Sequence, residues 1–202
     1  MNITRLALKA KKKYVTDSKE YMRLHCQAYR YEFKLKALKI YGLVCAECGM
    51  DDPDTLCFDH IGGVRKEDRS PSFIYRLVRE PKREDIQILC ANCNWKKQSN
   101  LYTRRSPRTY FTTKVKVLRA YSTTPEASCV LCGENDIELL CVDHIDGGGN
   151  KHKRTANIKG RLPTWLKKHN YPPGYRTLCF NCNLKSYIKL ARARLHEVLH
   201  AP

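Results

Sequence analysis

No run of apolar residues in this chain approaches the roughly 20 that a membrane-spanning helix needs, so a spanning protein is not expected. A secretory leader is not expected either. Its charge would precede its apolar segment, whereas here Met1–Ala10 runs straight into Lys11, Lys12 and Lys13. The expectation is an intracellular protein, in the host cytoplasm if the gene is viral. Acidic residues are scarce: 20 Asp and Glu stand against 38 Lys and Arg, a formal charge of +18 over 202 residues. That balance favours a polyanion such as DNA or RNA, because neutralised phosphates release condensed counterions. The plainer readings are a soluble basic protein or one seated on an acidic membrane surface. The length allows one ordinary domain or two small ones. Modules of roughly 80–90 residues bury too little apolar surface to be comfortably stable, so a metal or disulfide staple is expected. In a reducing compartment the 11 cysteines point to metal rather than disulfides.

The chain repeats itself. Cys45-Ala-Glu-Cys48-Gly49 returns as Cys129-Val-Leu-Cys132-Gly133, and Leu56-Cys57-Phe58-Asp59-His60-Ile61 as Leu140-Cys141-Val142-Asp143-His144-Ile145, both at an offset of 84. A third block, from Leu89 through Cys90, Asn92, Cys93 and Asn94 to Lys96, returns from Leu178 to Lys185 at an offset of 89. Residues 1–37 form a basic, mainly helical arm, 38–102 a first module, 103–117 a linker, and 118–202 a second module with a C-terminal helix. The arm reads as a solvated face or as a contact to a phosphate backbone. One long helix is expected over Ser18–Tyr41, with Asp17 and Glu20 as a capping box and Gly42 as a left-handed stop. The polar, Pro-broken stretch around Arg104–Arg108 reads as linker. Shorter helices are expected over Thr113–Tyr121 and Asn183–His200.

Each repeat offers two Cys-x-x-Cys pairs: Cys45, Cys48, Cys90 and Cys93, then Cys129, Cys132, Cys179 and Cys182. Two such knuckles close a tetrahedral shell around Zn²⁺ and leave no open position for water, so two structural zinc ions are expected. Cys57, Cys141 and the unmatched Cys26 read as small buried residues.

An Asp-His pair at a strand end and an Asn just after the fourth Cys remain in each repeat. Phosphodiester hydrolysis needs a base for water and a Lewis acid for the leaving oxygen. His is the neutral-pH base, and Asp and Asn are hard oxygen ligands for Mg²⁺ or Mn²⁺. Gly62-Gly63 and Gly147-Gly148-Gly149 break each strand directly after its His, which lets base and ligand share one cleft.

Taken together, Cys-x-x-Cys, Asp-His and Leu-Cys-x-Asn-Cys-Asn-x-Lys resemble the HNH (ββα-metal) endonuclease family. The second repeat, Asp143–His152 with Trp165–Lys168 and Tyr171–Tyr175, resembles its bacteriophage members. The resemblance spans residues 38–100 and 118–186. It implies an α+β fold of two tandem ββα-metal modules, each with a four-cysteine zinc site, plus flanking and linking helices. It also implies His60 and His144 as general bases, and Asp59 with Asn94, and Asp143 with Asn183, as ligands of one catalytic Mg²⁺ or Mn²⁺ per site. Lys96, Lys151, His152 and Lys185 become candidate phosphate contacts. Where the family places a base-orienting Asn, this chain has Asp85 and Gly174. The first repeat has Val64–Asp68 where the second has Asn150 and His152, so the second site is expected to be the more competent. The expected activity is endonucleolytic cleavage of nucleic acid, DNA before RNA, by a monomer whose duplication addresses both strands. A non-catalytic, zinc-stabilised nucleic-acid-binding protein and a zinc-scaffolded subunit of a larger assembly are the alternatives.

Overall fold

The structure, a computed structural model, describes residues 18–101 and 108–200. The expected cap at Asp17, the rest of the arm before it, and linker residues 102–107 lie outside the described residues.

Among the described residues the fold is α+β, with seven helices and two small two-stranded sheets. In chain order these are α1 (Ser18–Tyr41), β1 (Leu56–His60), α2 (Phe73–Arg79), β2 (Ile86–Cys90), α3 (Ala91–Leu101), α4 (Arg108–Ala120), β3 (Leu140–His144), α5 (Gly149–Thr155), α6 (Leu162–Lys168), β4 (Tyr175–Cys179) and α7 (Phe180–His200). None of these helices is long and apolar enough to cross a membrane. Two compact units emerge: one runs up to Leu89 and takes in the residues from Ile188 onward, and the other is Cys90–Tyr187.

In the first unit, α1 runs uninterrupted because it holds no Pro or Gly, and it stops where Gly42 takes a φ of 133° and its N–H caps the Leu38 carbonyl. Its buried residues Leu24, Phe33, Ala37 and Leu38 face inward. Tyr29 and Phe33 of α1 pack on Tyr75 of α2 with ring centroids 5.3 and 4.9 Å apart. Ala37, Leu77 and Ile86 form the core between these helices and the β1–β2 sheet. The turns of α7 beyond Ile188 complete this unit: the Arg192 guanidinium grips the Asp54 carboxylate at 2.8 and 2.9 Å and lies over the Tyr31 ring, whose hydroxyl also donates to Asp54. Burial, and then the Asp54 carboxylate, push the Tyr31 hydroxyl up to about 12.

In the second unit, β3 and β4 pair antiparallel, with Leu140 opposite Cys179 and His144 opposite Tyr175. Leu118, Ala127, Leu140 and Leu178 form its core, and α4 lies over both strands. α4 begins at Arg108, earlier than the expected Thr113, and α7 begins at Phe180, between the last two cysteines. Asn92 and Asn181, equivalent residues of the two repeats, bind each other reciprocally. Each side-chain oxygen accepts the other's backbone N–H, at 3.0 and 2.9 Å.

The sequence repeat is also a repeat of hydrogen bonds. Cys45 N–H donates to the Met50 carbonyl as Cys129 does to Glu134, Ala46 to Ile88 as Val130 to Thr177, and Ile61 to Asp85 as Ile145 to Gly174. Gly49 and Gly133, at φ 75° and 79°, close the first knuckle of each repeat in a conformation that a side chain would strain.

Candidate functional site

The four thiols of each repeat come together. The sulfurs of Cys45, Cys48, Cys90 and Cys93 lie within 4.8 Å of one another, and so do those of Cys129, Cys132, Cys179 and Cys182. Tetrahedral zinc with Zn–S near 2.3 Å separates its sulfurs by about 3.8 Å. The Cys132 and Cys179 sulfurs are 3.7 Å apart, and all eight cysteines are unbridged thiols. The Cys93 and Cys182 N–H groups point at the sulfurs of Cys90 and Cys179, as the start of a helix does toward negative charge. The donor set fits a closed structural zinc in both repeats.

The second repeat brings its Asp and Asn side chains together, while its His meets His152 and Tyr175 at the strand end. Asp143 sits opposite Arg176, whose guanidinium holds its Oδ2 at 2.9 Å. Its Oδ1 faces the Asn183 side-chain amide at 3.4 Å from the first turn of α7. Amide O and N are exchangeable assignments, and with the oxygen turned inward Asp143 and Asn183 present two hard donors suited to a small divalent cation. His144, the last residue of β3, is half-buried, and its Nε2 meets Nδ1 of His152 on α5 at 3.1 Å. Tyr175 packs on the His144 ring, with centroids 4.7 Å apart, and Trp165 meets the edge of His152. Burial, then the neighbouring His152, lower the His144 pKa against the opposing pull of Asp143.

Gly149 leaves space at the other ring nitrogen. A Cβ built there would stand 3.1 Å from His144 Nδ1 and 3.2 Å from Cε1. The equivalent residue of the first repeat is Arg65. An Ala Cβ would press on the His144 ring, so Gly149→Ala is expected to shift the His144 ring signals in long-range ¹H–¹⁵N spectra. Unmoved ring signals would refute the close approach.

In the first repeat the same residue types meet different partners. His60 is buried at 6% exposure, its ring stacks on Phe73, and its Nε2 meets Asp68 Oδ2 at 2.8 Å. The Asp68 side chain has no solvent exposure and is also held by Arg83 at 2.8 Å and by Arg76. Burial alone would raise the Asp68 carboxyl, but hydrogen bonds from Arg83 and His60 outweigh it and hold it below the usual range. Asp59 accepts from Gln87 at 2.7 Å, and Asn94 accepts from Gln98 on its own helix. Asp85, which stands where the resemblance implied a base-orienting Asn, instead binds Arg83 and Arg65 and is held down to about 2, chiefly by Arg83.

Removing a partner from a buried ion pair costs about 3–5 kcal/mol, so Asp68→Ala is expected to destabilise the first unit on that scale. A depressed carboxyl contributes stability above its unfolded pKa of about 3.9 and loses it as pH falls through the lower folded value. Thermal melts should accordingly show the gap between parent and variant narrowing below about pH 4; a constant gap down to strongly acidic pH would count against the ion-pair account.

Of the remaining expectations, Lys96 and Lys185 are exposed, and Lys96 lies 3.7 Å from Asp136. Lys151 is exposed on α5. Cys57 and Cys141 are half-buried rather than fully buried, donating to the carbonyls of Thr55 and Leu178, and Cys26, also expected to be buried, is exposed. Sequence reasoning missed Asp68, Gln87 and Arg176. A signal existed for Asp68: it follows His60 by eight residues, as His152 follows His144. Compared with protein-family models, with curated proteins and with solved structures, the chain matches none.

Proposed function

We propose that the chain is a metal-dependent HNH-type endonuclease, built from two tandem zinc-pinned modules (38–102 and 118–202), that hydrolyses DNA through its second repeat. The observation that carries this reading is the contact of Asp143 with Asn183 at the end of a strand that closes on His144, in a repeat that also holds a four-sulfur group. With His144 in the Nε2–H tautomer, donating to His152 Nδ1, its other nitrogen, beside Gly149, is the atom that would take the proton of the attacking water. Asp143 and Asn183 would hold Mg²⁺ or Mn²⁺, which when bound supplies Lewis-acid stabilisation of charge on the phosphate and leaving oxygen. Arg176 fixes the Asp143 carboxylate in the orientation that faces Asn183. In the first repeat His60 is closed off by Asp68 and Phe73 and serves as a buried structural group.

The test is conversion of supercoiled plasmid by the purified full chain with added Mg²⁺ or Mn²⁺. Cleavage is expected with the parent and is expected to fall at least tenfold in Asn183→Ala. Plasmid that is retarded by the protein but never cut with any divalent cation would defeat this reading. That result would favour the alternative of a non-catalytic binder, for which the Arg176–Asp143 ion pair is the supporting observation.

A further inference from the structure

Each repeat carries an insert between the Asp-His pair and the last knuckle, longer in the second repeat, and the inserts differ in charge. Residues 61–89 hold seven Lys and Arg against five acids, whereas residues 145–178 hold eight against Asp146 alone. Beyond Asp146 no acidic residue occurs until Glu197.

The structure makes this contrast physical. In the first insert Arg65, Arg76 and Arg83 are engaged with Asp68 and Asp85. In the second insert Lys151, Lys153, Arg154, Lys159, Lys167 and Lys168 are all exposed, and none forms a salt bridge among the described residues. Five of the six sit in the short helices α5 and α6, which pack through His152 and Trp165, with ring centroids 4.8 Å apart. His152 also touches His144, so the helices that carry these cations border the candidate base. Basic residues in the last turns of α5 and α6 suit the helix dipoles, but that effect is worth only about 0.3–1 kcal/mol each and does not account for the missing acids.

We propose that the α5–α6 face of the second repeat is the docking surface for the phosphate backbone of duplex DNA, while the first repeat's insert, whose positive charge is largely offset by its own acids, is not. The assignment rests on the nuclease reading for its partner, but its test does not need catalysis. Self-repulsion disfavours so dense a set of unpaired cations on a small unit unless a polyanion meets it, and a duplex offers one charge per ~1.7 Å of axis.

The experiment titrates a fluorescently labelled 25-base-pair duplex with the full zinc-loaded chain, without Mg²⁺ or Mn²⁺, over a range of salt concentrations. Two quadruple variants are compared: Lys151→Gln, Lys153→Gln, Arg154→Gln and Lys159→Gln in the second insert, and Lys66→Gln, Arg69→Gln, Arg79→Gln and Lys82→Gln in the first. All eight positions are exposed, and matching circular dichroism melts establish that both variants are folded. Each phosphate contact contributes about 0.9 to the slope of log K against log salt. The second-insert variant is expected to lose about 3 to 4 of that slope and at least tenfold in affinity at low salt, and the first-insert variant to keep both. Equal losses in the two variants, an unchanged slope in the second, or binding to phosphatidylserine vesicles in place of duplex would overturn the proposal. Slopes as expected with no cleavage on adding Mg²⁺ would leave it standing and remove the hydrolytic reading instead.

Discussion

Replacing Cys179 by Ser is expected to reduce bound zinc from two ions per chain to one and to unfold the second unit. Cys179 contributes one of four sulfurs that lie within 4.8 Å of one another, and it is buried against Leu118, Ala127, Leu140 and Leu178. Structural zinc held by cysteines binds with an apparent free energy of about 10–16 kcal/mol, and that binding is folding energy. A small unit has only about 5–15 kcal/mol of net stability, so losing the ion removes more than the core can replace. The hydroxyl itself costs far less, about 1–3 kcal/mol when buried without a partner, which separates the two causes. Cys141→Ser is the matched control: it alters a half-buried cysteine of the same hairpin outside the sulfur group and should leave both ions in place. Zinc stoichiometry by native mass spectrometry, read with near-ultraviolet circular dichroism, checks both variants. Two ions retained after Cys179→Ser would mean that these sulfurs do not form a zinc shell.

The second large effect concerns the two histidines, of which the sequence already favours the one in the second repeat. A positioned general base is worth about 10²–10⁴-fold, so His144→Ala is expected to lower plasmid cleavage by that factor while the fold persists. His60→Ala is expected to leave cleavage within a few-fold of the parent and to lower thermal stability instead. His60 is buried at 6% exposure with its Nε2 on a fully enclosed Asp68, so water has no approach to that nitrogen, and removing the ring leaves Asp68 short of a partner. In contrast, His144 is half-buried, faces His152 rather than a carboxylate, and has Gly149 where the first repeat has Arg65. The reverse pattern, with cleavage lost on changing His60 and kept on changing His144, would place the chemistry in the other repeat.

What could be read from the chain in advance was whatever depends on short-range pattern. The knuckles, the helix ending at Gly42, and the strands ending at His60 and His144 follow from local spacing and from glycines that must take positive φ or break a strand. The partners of the Asp-His pairs were harder to see, because the repeats keep the positions and change the residue types. Asp68 stands where His152 does, and Gln87 where Arg176 does, and a search for identity passes over both pairs. Asp85 misled for a related reason. Its backbone carbonyl keeps the equivalent hydrogen bond to Ile61, while its carboxylate turns to Arg83. Contacts across long stretches of chain, such as Arg192 with Asp54, leave no local mark at all.

The first unit takes in the turns of α7 beyond Ile188, and with them the guanidinium that closes over Tyr31 and Asp54. During synthesis that guanidinium leaves the ribosome after everything else the unit contains up to Leu89. The part of the unit translated up to Leu89 must therefore wait for the residues beyond Ile188 before its native contacts are complete, and a product truncated ahead of Ile188 would leave the unit unfinished.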